Sequence, residues 1–257
     1  MSFTPANSIT EVIERLDSII AKGIVDSNRS GYFAALYKRV TTQVSDKIKA
    51  GYFEDNQRME ELDVIFANRY LEAYQNYAEG KACINSWKFA FDSCQLWKPM
   101  VIHHLFAGMS AHISLDLGIA AATVSPGADI TGVHDDFYKI NVILSGLVAE
   151  VKAELYSMWP LSKILARMHT DKLENDIAGF SMDYARDAAW KVALQYALLN
   201  SPGTRETYIV ERDKEVEAFG KRLLYPGAWI STLMYFFRLF EFGSTATKIK
   251  KLNRIAN

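Results

Sequence analysis

Apolar residues recur at three- and four-residue intervals along nearly all of this 257-residue chain, and that period specifies α-helix. The stripe is clearest near the start, where Ile9, Val12, Ile13, Leu16, Ile19 and Ile20 share one face. Ser8 precedes the run and Glu11 stands three residues on, the pattern of a capping box, while Gly23 follows as a stop. The same reading gives helices from about Ser30 to Ala50, Asn56 to Ala78, Cys83 to Trp97 and Pro99 to Thr123. SPGADITGVHDD is the clearest loop. Beyond it, helices are expected from about Asp135 (kinked at Pro160), Phe180 to Asn200, Asp213 to Leu224 and Gly227 to Phe242. No alternating run suggests a strand, and no repeat or linker divides the chain. The expected fold class is all-α: a single-domain multi-helix bundle of roughly eight to ten helices over residues 1–257.

Composition removes several function classes. Apolar residues make up 49%, enough for a real core. With 29 basic and 30 acidic residues the net charge is −1, without the basic excess of a nucleic-acid binder. The two cysteines, Cys83 and Cys94, are too few for a disulfide framework. They lie about 16 Å apart along a helix, too far to bridge. The expected setting is reducing and cytoplasmic. MSFTPANSITEVIERLD lacks the pattern of a signal peptide, and no segment reads as a membrane span. Near the C-terminus, AWISTLMYFFRLFEFG is followed by KIKKLNR. That pair of features allows peripheral contact with an anionic bilayer. The preferred reading is a core helix with Arg238 and Glu241 on its solvent side.

The chemistry concentrates in HHLFAGMSAHISLDLGIAAA, His103 to Ala122. His112 and Asp116 are four apart, hence one turn apart on the same helix face. An imidazole and a carboxylate among Leu, Ile, Met and Ala are costly to bury unless something pairs with them. A divalent metal ion (Zn, Fe or Mn) is the leading reading, with His112 and Asp116 as ligands from adjacent turns. His134, Asp135 and Asp136 lie across the loop and are expected to return to the level of His112, His134 as a third ligand and the two carboxylates as ligand or general base. His104 lies about 12 Å from His112 along the axis, so it would serve a substrate or an outer hydrogen bond. Gly108, between them, leaves room for a ligand or a packed neighbour. Asn141 shares a face with Phe137 and Leu144 and is expected to bond to the helix carrying His112 and Asp116. Two plainer readings stand beside these: a structural His–Asp pair, and HDD as a helix cap.

The stretches GYFAALYKRVT, GYFEDNQRMEELDVIFANRYLEAY, HHLFAGMSAHISLDLGIAAA and DDFYKINVIL, with a fainter match in the Arg186 and Trp190 spacing of ARDAAWKVA, resemble DUF5995, a family without an assigned function. The resemblance spans about Gly31 to Ala197 and implies no activity.

Asp63, Arg69 and Arg186 look buried and are read as interhelical salt bridges. An HD-type phosphohydrolase would need His104, His134 with Asp135, and Asp171 or Asp176. Helix-borne zinc phospholipases would need more ligands than His112 and Asp116. No phosphate loop, dinucleotide fingerprint or nucleophile elbow is present. The functional expectation is a metal-dependent hydrolase of an ester or phosphoester, acting on a small, rather apolar molecule. A non-haem iron oxygenase and a non-enzymatic ligand-binding or scaffold protein are the alternatives.

Overall fold

Ser8 caps the first helix as its spacing requires, its hydroxyl accepting the Glu11 amide at 3.2 Å. The computed structural model describes residues 2–125, 130–158 and 182–254. Among these are eleven α-helices and no strand. They are α1 (Ile9–Val25), α2 (Ser30–Lys49), α3 (Asn56–Ala78), α4 (Asn85–Cys94), α5 (Val101–Ala111), α6 (Gly118–Thr123), α7 (His134–Ser157), α8 (Met182–Ala197), α9 (Pro202–Leu224), α10 (Ala228–Leu239) and α11 (Thr245–Leu252). A π-helical turn, His112–Leu117, joins α5 to α6 without a break. The all-α expectation holds. Pro160 lies outside the described residues.

The run Val101–Thr123 is the centre of the fold. It is long and apolar enough to cross a membrane, yet 78% of its most apolar window is buried in the domain. Neighbouring helices reach it because small residues stand at the crossings. A Cβ at Gly108 would come within 2.5 Å of the Phe33 ring, so α2 packs where a side chain would otherwise sit. A Cβ at Gly118 would lie 2.6 Å from the Ala189 carbonyl. There the buried alanines Ala185, Ala189 and Ala193 of α8 close against the run.

Three helix starts are held from a distance by carboxylates. Asp136 takes the amides of Glu54 and Asp55, both at 2.9 Å, just before α3. Asp213 takes those of Asn85 and Ser86 at the head of α4. Glu241 takes the amide of Val101 at the head of α5. Each supplies an acceptor to amides that have no partner inside their own helix. Buried Arg39 ties α2 to Glu150 and Glu154 of α7, and to the Leu252 carbonyl of α11.

The C-terminal region corrects the sequence reading in four places. The helix expected from about Asp213 starts earlier, at Pro202 in the first turn of α9, with Ser201 capping. A further helix, α11, follows α10. Glu241 is not on the solvent side: it is buried against Lys248, at 2.8 Å, and Arg238, at 3.2 Å. The aromatic face of α10, read as core, is exposed, with Trp229 at 82% and Phe236 at 55%.

Candidate functional site

The π turn places His112 and Asp116 together at the core. Asp116 is fully buried and receives three donors. Arg69 Nε donates to Oδ1 at 2.6 Å, Trp87 Nε1 donates to Oδ2 at 2.8 Å, and His112 Nδ1 lies 3.4 Å from Oδ2. Burial works to raise the Asp116 pKa, but Arg69, His112 and Trp87 together hold it below the usual carboxylate value. Burial pushes the His112 pKa down, against the pull of Asp116, so the imidazole is held neutral. Its Nδ1 then carries the proton that faces Asp116, and Nε2 is a lone-pair acceptor.

Five aromatic rings pack around His112. Phe66 stacks on it with centroids 3.5 Å apart and planes 8° from parallel. Tyr37 and Phe33 stand edge-on at 4.5 and 5.7 Å, and Tyr70 and Trp87 are tilted at 6.1 and 5.7 Å. Phe66 itself is half-buried, so one ring separates the imidazole from the outer layer of the domain.

Within this wall, His112 Nε2 has no hydrogen-bond partner, and neither has the hydroxyl of Tyr37 or Tyr70. The seam between α2 and α3 continues the pattern. Tyr37, Thr41 and Ser45 follow one another at four-residue spacing on α2, and all three hydroxyls are buried and unpartnered. The Tyr37 hydroxyl is near that of Thr41, but outside hydrogen-bonding geometry. Asp63 of α3 adds a buried carboxyl whose Oδ2 is also unpartnered. Its pKa is pushed up to about 7 by burial, with Glu60 adding to the effect. Buried polar atoms are nearly always satisfied by protein, water or ligand. Tyr37, whose ring stands edge-on to His112, joins this file of hydroxyls to the imidazole.

The other expected ligands do not join this site. His134 and Asp135 are exposed and pair with each other at 2.8 Å. Asp136 is spent on the Glu54 and Asp55 amides and on Lys139, at 2.8 Å. Asp136 thus serves amides ahead of α3 rather than those at the start of its own helix, the cap that HDD also allowed. Asn141 is half-buried, and its Oδ1 accepts no hydrogen bond from the helix carrying His112 and Asp116. His104 is buried against Tyr32, ring centroids 5.7 Å apart, with neither ring nitrogen partnered. Burial pushes its pKa down to about 3. Asp171 and Asp176 lie outside the described residues.

Among the described residues, no three His, Cys, Asp or Glu side chains are grouped to hold a metal ion. The donor set around His112 does not fit a divalent ion either. One Asp116 oxygen already accepts from the Arg69 guanidinium and the other from Trp87 Nε1.

Arg69 forms the interhelical salt bridge expected of it, with Asp116 as its partner. Trp87 and Phe66 escaped sequence reasoning, because neither carried a polar signal. The i, i+4 aromatic pairs Phe33–Tyr37 and Phe66–Tyr70 were visible, but such pairs ordinarily mark a core. Asp63 forms no salt bridge among the described residues; Arg186 bonds the Phe137 carbonyl and lies 4.3 Å from the centre of that residue's ring.

A sequence model of one family, described as a family of unknown function (DUF5995), matches residues 9–226. No curated protein matches the chain, and no solved structure does.

Proposed function

The chain belongs to the DUF5995 family, whose function is unknown, and we propose, from its own residues, that it is a small-molecule enzyme working by proton transfer at His112. The observation that carries this is the unpartnered Nε2 of His112, a neutral imidazole oriented through Nδ1 by a buried, locked carboxylate. That is the arrangement of a general base with its orienting acid. Hydrolysis of an ester is the reaction we assign, because it needs no reactant beyond water. A water bonded to Nε2 gives its proton to that nitrogen as its oxygen attacks the carbonyl carbon. Asp116 stabilises the imidazolium. The same proton then passes to the departing alkoxide oxygen as the C–O bond breaks. The aromatic wall favours an apolar or aromatic substrate body.

The divalent ion expected from the sequence is a separate proposal. Elemental analysis of untagged protein tests it, and stoichiometric Zn, Fe or Mn lost in His112→Ala would move the reading to metal-activated water.

A structural clasp is the competing reading, favoured by the saturation of Asp116 with three donors. Chromogenic carboxylic esters of graded acyl length, followed with wild type, His112→Ala and His112→Phe, separate the two. Turnover that falls roughly 100-fold or more in both variants supports the enzyme. Absence of turnover, with no substrate moving the His112 ring resonances, would leave the clasp. So would turnover indifferent to both substitutions.

A further inference from the structure

Helix α10 presents an aromatic face to solvent. At 3.6 residues per turn, Tyr235, Leu239, Phe236, Trp229 and Phe240 fall within an arc of about 140°, and each is exposed. The helix is fastened from its other side. Met234 Sδ meets His103 Nε2 at 3.2 Å, and Arg238 donates to the Trp97 carbonyl at 2.9 Å while lying over the Trp97 ring. Trp97, also exposed, stands edge-on to Tyr235 with centroids 6.1 Å apart, so the patch continues onto the segment between α4 and α5.

Charge is distributed unevenly along the sequence around α10. From Lys221 to Arg254 the chain carries seven basic residues and one acidic residue, in a protein with 29 basic and 30 acidic residues overall. The single acid, Glu241, is buried between Lys248 and Arg238. Lys221, Arg222, Lys250 and Arg254 are exposed; Lys221 is shared with Glu217, at 2.7 Å. Residues before Lys221 are correspondingly acidic in sum.

We infer that this face docks on an anionic lipid bilayer, with the aromatic arc in the headgroup boundary and the flanking lysines and arginines on the lipid charge. Tryptophan, tyrosine and phenylalanine, rather than branched aliphatics, make up most of the arc, and ring systems with one wet edge favour that boundary. Exposed basic residues on either side of an aromatic helix in sequence are a signature of interfacial binding. The same charge argues against a second copy as the occupant, since two such faces would repel. The inference does not depend on the chemistry assigned to His112.

Co-sedimentation of the full chain with phosphatidylcholine vesicles, and with phosphatidylserine-rich vesicles of equal size, tests it. Binding is expected to the anionic vesicles, with a blue shift of tryptophan emission that is lost in Trp229→Phe. Trp229→Ser/Phe236→Ser should abolish binding. Arg222→Glu and Lys250→Glu should each weaken it roughly fivefold or more. All of these positions are exposed, and unchanged circular dichroism and melting verify that the variants fold. No binding to either vesicle overturns the inference, as does equal binding to both. A dimer in light scattering that Phe236→Ser disperses, without vesicle binding, assigns the face to a second copy.

Discussion

The imidazole of His112 lies flat on the ring of Phe66, with centroids 3.5 Å apart. His112 is buried and Phe66 half-buried, so the phenyl ring is the cover of the imidazole. Phe66→Ala should therefore act twice. Losing the ring should cost about 3 kcal/mol of stability. Water admitted to His112 should move its pKa up, toward the ordinary histidine value, because burial is the first cause of its depression. Histidine-resolved NMR titration reads the second effect, and an unmoved His112 would show that Phe66 is not its cover.

The pair Arg69–Asp116 is asymmetric, and its variants should be too. The Asp116 side chain is 1% exposed and that of Arg69 is 26% exposed. Arg69→Met leaves a carboxylate buried with only neutral donors and should cost about 3 to 5 kcal/mol. Asp116→Asn leaves a guanidinium that water can reach and should cost less. The double variant Arg69→Met/Asp116→Leu should recover part of the loss. Urea unfolding of the three proteins decides it, and an equal cost for both single variants would contradict the burial argument.

Acid should unfold this protein through its buried histidines. Burial pushes His103 to about 4 and His104 to about 3, and lowers His112 as well. Below the ordinary value of 6.5 the unfolded chain binds protons that the folded one refuses, so this contribution is present above pH 6.5 and is lost as pH falls toward 4. Asp63 opposes it over much of the same range. The net slope should be roughly 1 to 3 kcal/mol per pH unit. Urea midpoints between pH 6.5 and 4.5 measure it, and a flat profile would refute it.

Asp63 carries the opposite sign. Its carboxyl is raised from 3.8 to about 7 by burial, so folding favours the protonated form below pH 3.8 and loses that advantage as pH rises to about 7. Asp63→Asn removes the buried charge. It should raise stability at pH 8, with the distance between the two values setting a ceiling of about 4 kcal/mol. Below pH 4 variant and wild type should coincide. Melting at the two pH values checks this, and a variant less stable at pH 8 would point to a partner for the charged form.

Gly108 and Phe33 are in contact because glycine has no Cβ. Gly108→Ala should cost about 1 to 3 kcal/mol by overpacking. Adding Phe33→Leu should recover part of it, and the double-mutant cycle should show coupling. Additive costs would place the strain elsewhere.

The sequence made the helices legible because periodicity and caps such as Ser8 are local signals. It also brought out the two residues at the centre of the site, since His112 and Asp116 are polar in an apolar run. It could not supply their neighbours. Arg69 and Trp87 reach Asp116 across 47 and 29 residues, and only the packing of α3 and α4 on the central run sets those distances. The expected third ligand failed for a related reason. HDD opens α7, and its only buried carboxyl, Asp136, is drawn to free amides ahead of α3. The π turn left no mark in the pattern either, because a 4.4-residue turn between two α-helices keeps the apolar run intact. At α10 the aromatic density resembled a core helix, and exposure is a property of what stands opposite rather than of the segment.

The distant carboxylates that start α3, α4 and α5 set a timetable for synthesis. A ribosome delivers the Val101 amide 140 residues before the carboxylate that receives it. At 5 to 20 residues per second that is a wait of roughly 7 to 28 s. Asn85 and Asp55 wait over 128 and 81 residues for Asp213 and Asp136. The growing chain therefore carries an open head at α3 until Asp136 emerges, and open heads at α4 and α5 until Asp213 and Glu241 do. Closure runs backward along the polypeptide, from late residues onto early ones, and the interval before it is when this protein most needs shelter from its neighbours.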